Sequence, residues 1–126
     1  FSQRGTVTFG LALLQPAAFS EAFPLSGALS QQLLRQRPET SHLPEVHAFH
    51  GTRDPKVEYR DAQRTVKGLQ HLGYTADLKS YPGRGHDFEV MLPDLMRALE
   101  VAVRSAASSP NRAATARRPA ASHAPR

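Results

Sequence analysis

Two short turns, rich in glycine and proline, constrain this chain more than any other feature of its sequence. The first runs from His50 to Val57 and the second from Tyr81 to Phe88, and each follows a short β-like run. Each turn presents one side chain suited to catalysis, Asp54 in the first and His86 in the second. Because the segment between the turns is typical of one helix and one strand, we expect the acid and the histidine at the ends of neighbouring strands.

A third residue type of this chemistry stands at the start of the chain, where Ser2 precedes a predicted helix. Serine is a weak nucleophile at neutral pH and needs a base to take its proton and an acid to orient that base. The chain order Ser2, Asp54, His86 is the order used by α/β-hydrolases rather than by chymotrypsin-like or subtilisin-like enzymes. The backbone N–H of Gln3, at the entry to the helix, is the natural donor for an oxyanion.

Each of these residues also has an ordinary structural interpretation. A serine before a helix is most often an N-cap, with odds of about three in four when it stands alone, and an Asp before a Pro is usually a turn residue. A loop histidine needs no function, and the sequence has five others: His42, His47, His50, His71 and His123. The joint occurrence of the three types, in this order and in turns at element ends, favours catalysis.

A metal shared by two of these histidines is not expected. His47 and His50 lie on or beside one predicted strand. An i, i+3 spacing on a strand directs the two side chains to opposite faces. The sequence therefore predicts no metal site.

The order of elements is helix, strand, loop, strand, helix, strand, helix, which predicts an α/β fold of parallel strands with flanking helices. Helices are predicted at residues 3–15, 58–72 and about 93–103, strands around 22–26, at 45–49 and at 74–81, and a partly helical surface loop at 28–43. The apolar stripes of the helices are Val7, Leu11 and Leu14; Tyr59, Ala62, Val66 and Leu69; and, on a buried face, Leu92, Leu95, Met96, Leu99 and Val103.

The net charge of +5 comes entirely from the end of the chain. Residues 1–103 hold eleven Lys or Arg and eleven Asp or Glu, whereas residues 104–126 hold five arginines and no acid. We expect a partial α/β domain over 1–103 and a disordered tail of Ala, Ser, Pro and Arg over 104–126. Arginines so widely spaced, with no aromatics among them, give at most weak, salt-sensitive binding, so we expect no nucleic-acid partner.

The length of 126 residues leaves room for one modest domain. The absence of cysteine excludes a disulfide scaffold and a thiolate metal site, and no apolar run approaches the roughly 20 residues that span a bilayer. The first residue is Phe1, inside a motif, so we expect the C-terminal piece of a longer protein. We expect a cytoplasmic location; the oligomeric state is left open.

Four short motifs follow one another between residue 1 and about residue 103. They are Phe1-Ser2-Gln3 followed by Gly5; Leu25-Ser26-Gly27; His50-Gly51-Thr52-x-Asp54-Pro55-x-Val57; and Tyr81-Pro82-Gly83-x-Gly85-His86. The first resembles the nucleophile motif Gly-Phe-Ser-Gln-Gly-Gly of the phospholipase/carboxylesterase family, the α/β-hydrolases that include acyl-protein thioesterases. The others resemble that family's Leu-Ser-Gly, its acid loop and its histidine loop. Four motifs in order make the resemblance specific.

The resemblance implies the C-terminal half of an α/β-hydrolase fold, with Ser2 as nucleophile, Asp54 as acid and His86 as base. The implied activity is hydrolysis of carboxylic esters or thioesters, of small or acyl-chain type, through an acyl-enzyme and without a cofactor. The partner implied is thus a small-molecule ester or acyl substrate.

Two departures from the family pattern bear on that activity. Arg4 stands where the family has Gly, and a side chain there is expected to clash within the tight turn. Judged from the usual size of such a domain, we expect that about 100 residues which precede the serine are missing, and with them the loop that gives the second oxyanion donor. We therefore expect little or no activity from these 126 residues. The alternative is a non-catalytic remnant half-domain.

Overall fold

The computed structural model describes residues 2–108, and among them three parallel strands form a sheet. The strands are β1 (Glu21–Ala22), β2 (Glu45–Gly51) and β3 (Ala76–Tyr81), and β2 lies between the other two. Parallel neighbours need a crossover between them, and a helix provides it between β2 and β3. The predicted α/β fold is confirmed, and β3 is an edge strand of this sheet as predicted.

The described residues include four helices: α1 (Gln3–Leu14), α2 (Gln31–Leu34), α3 (Tyr59–His71) and α4 (Leu92–Ala107), with a 3₁₀ turn at Pro16–Ala18 after α1. The helix α3 follows its prediction closely. Its residues Ala62, Val66 and Leu69 are buried, and Gly73 adopts a positive φ of 98° just beyond its end. A left-handed glycine at that place is a common way to stop a helix.

The strand β1 is shorter than predicted because Pro24 interrupts it. Regular pairing with β2 ends at Ala22, since proline has no N–H to donate to a ladder. The chain nevertheless stays beside β2: the Phe49 N–H donates to the Pro24 carbonyl at 3.0 Å, and the Ser26 N–H donates to the Phe49 carbonyl at 2.9 Å. The turn at Ser26 is thereby held beside the carboxyl end of β2.

The helix α1 buries a different face from the predicted stripe. Val7, Leu11 and Leu14 are 58%, 42% and 54% exposed. The buried residues are Gly5, Phe9, Ala12 and Leu13, and the last three join one apolar core with residues of the strands and of α3, among them Val46, Ala48, Val66 and Leu69. Because α1 is apolar on two sides, helical periodicity alone does not decide which side meets the sheet.

The helix α4 also differs from its prediction. Residues 2–95 belong to one compact unit and residues 96–108 to a second; α4 begins in the first. Its apolar stripe is not buried: Leu92 is 39%, Met96 53%, Leu99 38% and Val103 68% exposed. The reason, within the second unit, is that its described residues form only this one helix.

The end of α4 corrects one boundary of the predicted tail. Arg104 to Ala107 are helical, where a disordered segment was expected. Residues 109–126 of that predicted tail lie outside the described residues. Within residues 2–108, no helix has the length and apolar character needed to cross a bilayer.

Candidate active site

The turns that follow β2 and β3 bring Asp54 and His86 into contact. The Asp54 Oδ2 atom lies 2.6 Å from the His86 Nδ1 atom. Both side chains are withdrawn from solvent, with 0% of Asp54 and 8% of His86 exposed. Since the strands are parallel and adjacent, their carboxyl ends lie at one edge of the sheet, and both turns start there.

Close backbone contact holds these two turns together. A Cβ at Gly51 would clash with the carbonyl groups of Arg84 and Gly85, so the histidine turn lies directly on the end of β2. The Arg53 N–H donates to the Arg84 carbonyl at 2.9 Å. The distance between Asp54 and His86 is thus set by backbone atoms as well as by their own side chains.

The carboxylate of Asp54 is satisfied on both oxygens. Its Oδ1 accepts the backbone N–H groups of Lys56 at 2.8 Å and Val57 at 3.0 Å, while Oδ2 faces His86. Burial by itself raises the pKa of Asp54, but the hydrogen bonds from Val57, His86 and Lys56 outweigh it and lower that pKa below its ordinary value. Asp54 is therefore ionised at neutral pH.

Ser2 lies at the start of α1 in a strained backbone conformation. Its φ is 56° and its ψ −115°, and a positive φ is uncommon for any residue with a side chain. Its N–H donates to the Leu25 carbonyl at 3.0 Å. Within the described structure its side chain makes no hydrogen bond to cap α1. The N-cap interpretation of this serine therefore does not apply.

The tight packing expected beside the serine falls on Gly5 rather than on Arg4. A Cβ at Gly5 would clash with the Leu25 carbonyl, and a Cβ at Gly27 would clash with the backbone of Gly5 and Thr6. Arg4 is exposed. The predicted clash of Arg4 is wrong, because the first turn of α1 directs that residue away from the Leu25–Gly27 turn.

The turn of residues 25–27 also links Ser2 to the edge of the sheet where the acid and the histidine meet. Leu25 pairs with Phe49 of β2 in an isolated parallel bridge, two residues before β2 ends at Gly51. The structure thus joins Asp54 and His86 directly, and it fixes the backbone of Ser2 on the neighbouring chain segment. Gln3 is the first residue of α1, where backbone N–H groups have no partner within the helix.

One buried residue beside this site was not singled out from the sequence. His50 is 1% exposed, and its Nε2 atom lies 2.7 Å from the Val57 carbonyl and 3.6 Å from Asp54 Oδ2. The available signal was its position, four residues before the acid at the end of a strand. From the sequence alone it is one of the other histidines, belongs to the acid-loop motif and is half of a metal pair that is not expected, but no part in the site is predicted for it.

A group of possible metal ligands lies at the other end of the strands. Donor atoms of Glu21, Glu45 and His47 come within 4.8 Å of one another. They already interact: His47 Nε2 lies 3.3 Å from Glu45 Oε2, and His47 Nδ1 lies 2.8 Å from Asp77 Oδ2. Half or more of the surface of the Glu45 and Asp77 side chains is exposed. We assign no metal to this group.

The sequence of this chain is similar to those of known esterases and thioesterases. Carboxylesterase SOBER1 of Arabidopsis thaliana is 32% identical over 87 residues, which cover 68% of this chain and 38% of that protein. Acyl-protein thioesterase 1 of Neurospora crassa is 30% identical over 90 residues, which cover 68% of this chain and 37% of that protein. The chain therefore spans little more than a third of the length of these curated relatives.

Solved structures show the same fold. The crystal structure of Arabidopsis thaliana SOBER1 matches with a TM-score of 0.61 at 31% identity, covering 70% of this chain and 43% of that one. Acyl-protein thioesterase 2 of Zea mays matches with a TM-score of 0.65 at 21% identity, covering 80% of this chain and 53% of that one. The prediction of part of an α/β-hydrolase fold is confirmed. Residues 1–101 match the phospholipase/carboxylesterase family, and the chain belongs to that family of α/β-hydrolases.

Proposed function

We propose that this chain carries the nucleophile, base and acid of a serine hydrolase that cleaves carboxylic esters or thioesters through an acyl-enzyme. Ser2 is the nucleophile, His86 the base and Asp54 the acid. The observation that carries the proposal is the buried contact of 2.6 Å between Asp54 Oδ2 and His86 Nδ1. It is supported by the φ of Ser2, which is positive, and by the Ser2 side chain, which within the described residues makes no hydrogen bond that caps the helix. An N-cap or a turn residue accounts for neither feature.

The contact between the acid and the histidine sets the chemistry of the base. Because Asp54 is ionised, its carboxylate accepts a hydrogen bond from the Nδ1–H of His86. The Nε2 atom of that ring is then the one that can accept a proton. His86 takes the hydroxyl proton of Ser2 as the oxygen attacks the acyl carbonyl. It returns this proton to the departing oxygen or sulfur, and Asp54 stabilises the imidazolium between the two steps.

The start of α1 supports the developing oxyanion. The N–H of Gln3 follows the nucleophile directly, at the positive end of the helix dipole. Hydrolysis of the acyl-enzyme repeats the proton transfers with water in place of Ser2. None of these steps requires a cofactor or a metal.

The substrate class follows from what the relatives share. They are named carboxylesterase and acyl-protein thioesterase, and both names describe attack on an acyl carbonyl with an oxygen or sulfur leaving group. We extend that shared chemistry to this chain, with a small-molecule ester or acyl substrate and a cytoplasmic location as parts of the proposal.

An active-site serine probe tests the proposal on the 126-residue chain. A fluorophosphonate labels a serine only where the hydroxyl is activated. We expect labelling that is lost in Ser2→Ala and kept in Ser30→Ala, a matched change at an exposed serine that caps α2. Turnover of a p-nitrophenyl acyl ester should be low, because the chain covers little more than a third of its relatives. Labelling that persists in Ser2→Ala would contradict the assignment, and no labelling of the unaltered chain would favour a non-catalytic remnant.

A further inference from the structure

A second histidine, His50, is buried next to the acid and is used in none of the steps above. It is the second-last residue of β2, just before Gly51, and only 1% of its surface is exposed. The ring of Tyr59 lies beside it, with ring centroids 6.2 Å apart. A polar ring at such depth must have a hydrogen-bond partner to offset the loss of water.

The partner of His50 fixes the position of its proton. Its Nε2 atom lies 2.7 Å from the carbonyl oxygen of Val57, and a carbonyl oxygen only accepts. Nε2 therefore carries a hydrogen and donates it. The same N–H lies 3.6 Å from Asp54 Oδ2, which is beyond hydrogen-bond distance but close enough for its positive end to face the buried carboxylate.

The bond to Val57 links His50 to Asp54 through one peptide residue. The Val57 carbonyl accepts from His50, while the Val57 N–H donates to Asp54 Oδ1 at 3.0 Å. The other oxygen, Oδ2, faces His86 at 2.6 Å. Both bonds to Asp54 Oδ1 come from within its own turn. The turn is tied to the strand at its first residue by the bond from the Asp54 N–H to the Gly51 carbonyl at 3.4 Å, and His50 ties its other end, at Val57, back to the strand.

We propose that His50 is a positioning residue, whose Nε2–H holds the Asp54–Val57 turn so that the Asp54 carboxylate points at His86. The assignment rests on the proposed function of Asp54 and His86. His50 does not touch the reacting atoms. Without its N–H, the Val57 carbonyl loses its buried donor. Within residues 2–108, backbone bonds then hold the turn to the strand and to the histidine turn only at its start, through the N–H groups of Asp54 and Arg53, and the carboxylate is less firmly directed at the histidine.

The tautomer of His50 gives the first test, and it needs no activity. In the chain labelled with ¹⁵N at histidine, we expect the His50 signals of a neutral ring protonated at Nε2, and those of a His86 ring with a proton on Nδ1. A His50 ring that carries no proton on Nε2 would overturn the proposal.

Paired substitutions give the second test. His50→Phe keeps a ring and removes the donor, while His50→Gln keeps an amide N–H that reaches about as far as Nε2. His47→Gln is the matched control on the same strand. This histidine contacts Glu45 and Asp77 and not Asp54. In His50→Phe we expect the Nδ1–H signal of His86 to broaden or shift and the rate of probe labelling to fall by roughly a hundredfold, as for a small misplacement of a catalytic group.

The pattern across the variants decides the assignment. Recovery of most of the labelling rate and of the His86 signal in His50→Gln, with His47→Gln unchanged, supports a positioning role. Equal loss in His50→Phe and His50→Gln would show that the ring only fills space, and an unchanged His86 signal in His50→Phe would also overturn the proposal. If Ser2 is not the nucleophile, labelling is either absent from every variant or persists in Ser2→Ala. The His86 signal still reports whether His50 positions Asp54.

Discussion

The backbone of Gly27 lies directly against the backbone of Gly5. This contact joins the helix that begins after Ser2 to the turn that follows β1, and the same turn accepts the N–H of Ser2 through the Leu25 carbonyl. Among residues 2–108 the Ser2 hydroxyl makes no bond that caps α1, so the position of the serine depends on the close approach of Gly5 and Gly27 and on the bond from its N–H to Leu25.

We expect Gly27→Ala and Gly5→Ala each to lower the free energy of unfolding by about 1–3 kcal/mol or more, because the added methyl group would clash with backbone atoms that cannot rotate away. Urea denaturation measures the change. Gly10→Ala is the control in the same helix, since a Cβ there meets nothing within 4 Å among the described residues. It should raise stability by roughly 0.5–1 kcal/mol through helix propensity. A neutral Gly27→Ala would show that the two segments separate easily.

Asp54→Asn should lower the rate of probe labelling and of ester turnover by roughly 10⁴-fold, because an amide that donates to Nδ1 selects the wrong tautomer of His86. The geometry should change little, since Asn keeps an oxygen for the N–H groups of Lys56 and Val57. Asp77→Asn is the control, at an acid that is 64% exposed and contacts His47 instead. Labelling rates within about tenfold of the unaltered chain would show that Asp54 does not orient the base.

The lowered pKa of Asp54 predicts a loss of stability in acid. Its folded-state pKa lies below the ordinary value of 3.8, so ionised Asp54 contributes stability that is fully present above the unfolded value. That contribution is lost as the pH falls from 3.8 through the lower, folded pKa. Other carboxyl groups also titrate there, so the test is the difference in unfolding free energy between the unaltered chain and Asp54→Asn, measured from pH 7 to pH 3. A difference that does not change with pH would contradict the pKa shift.

Much of the fold could be predicted because the decisive patterns are local. The helix α3 has one apolar stripe and a glycine where it ends, and β2 is a short run between Pro44 and a turn. The helix α1 offers two stripes, one through Val7 and Leu11 and one through Phe9 and Leu13. The choice between them depends on tertiary packing, which no periodicity encodes.

In the candidate site, too, some features could be predicted from the sequence and others depend on tertiary packing. Asp54 and His86 were predictable because each follows a strand, and parallel neighbours end at one edge. The role of His50 was not, because it depends on the direction of one ring toward the Val57 carbonyl. The tight position beside Ser2 was misplaced by one residue, since the start of the helix decides whether Arg4 or Gly5 faces the Leu25 turn.

His47 should show the opposite pH dependence from Asp54. Burial alone lowers its pKa, but Asp77 and then Glu45 raise it above the ordinary value of 6.5. The contribution of charged His47 to stability is therefore fully present below 6.5 and is lost as the pH rises through the folded pKa. We expect it to be small, about 0.2–1 kcal/mol, and to weaken with salt, because its partners are exposed.

NMR titration of the His47 ring measures the shift directly. The midpoint should lie above 6.5 and fall in Asp77→Asn. It should not change in Asp61→Asn, a control acid that pairs with Arg64 on α3. A midpoint at or below 6.5 would contradict the predicted pairing.

Substitution of Arg4 should be nearly neutral, although Arg4 lies two residues after Ser2, the proposed nucleophile. It is exposed, and its carbonyl accepts from the Thr8 hydroxyl at 2.7 Å, a bond that any residue at position 4 retains. We expect Arg4→Ala to change the labelling rate by less than about twofold and stability by no more than about 0.5 kcal/mol. Arg4→Gly should lower stability by up to roughly 1 kcal/mol through backbone freedom in the helix. A large rise in labelling on Arg4→Gly would mean that Arg4 does hinder the serine. Unchanged labelling would place the steric requirement of this turn at Gly5, where the Leu25 carbonyl leaves no room for a Cβ.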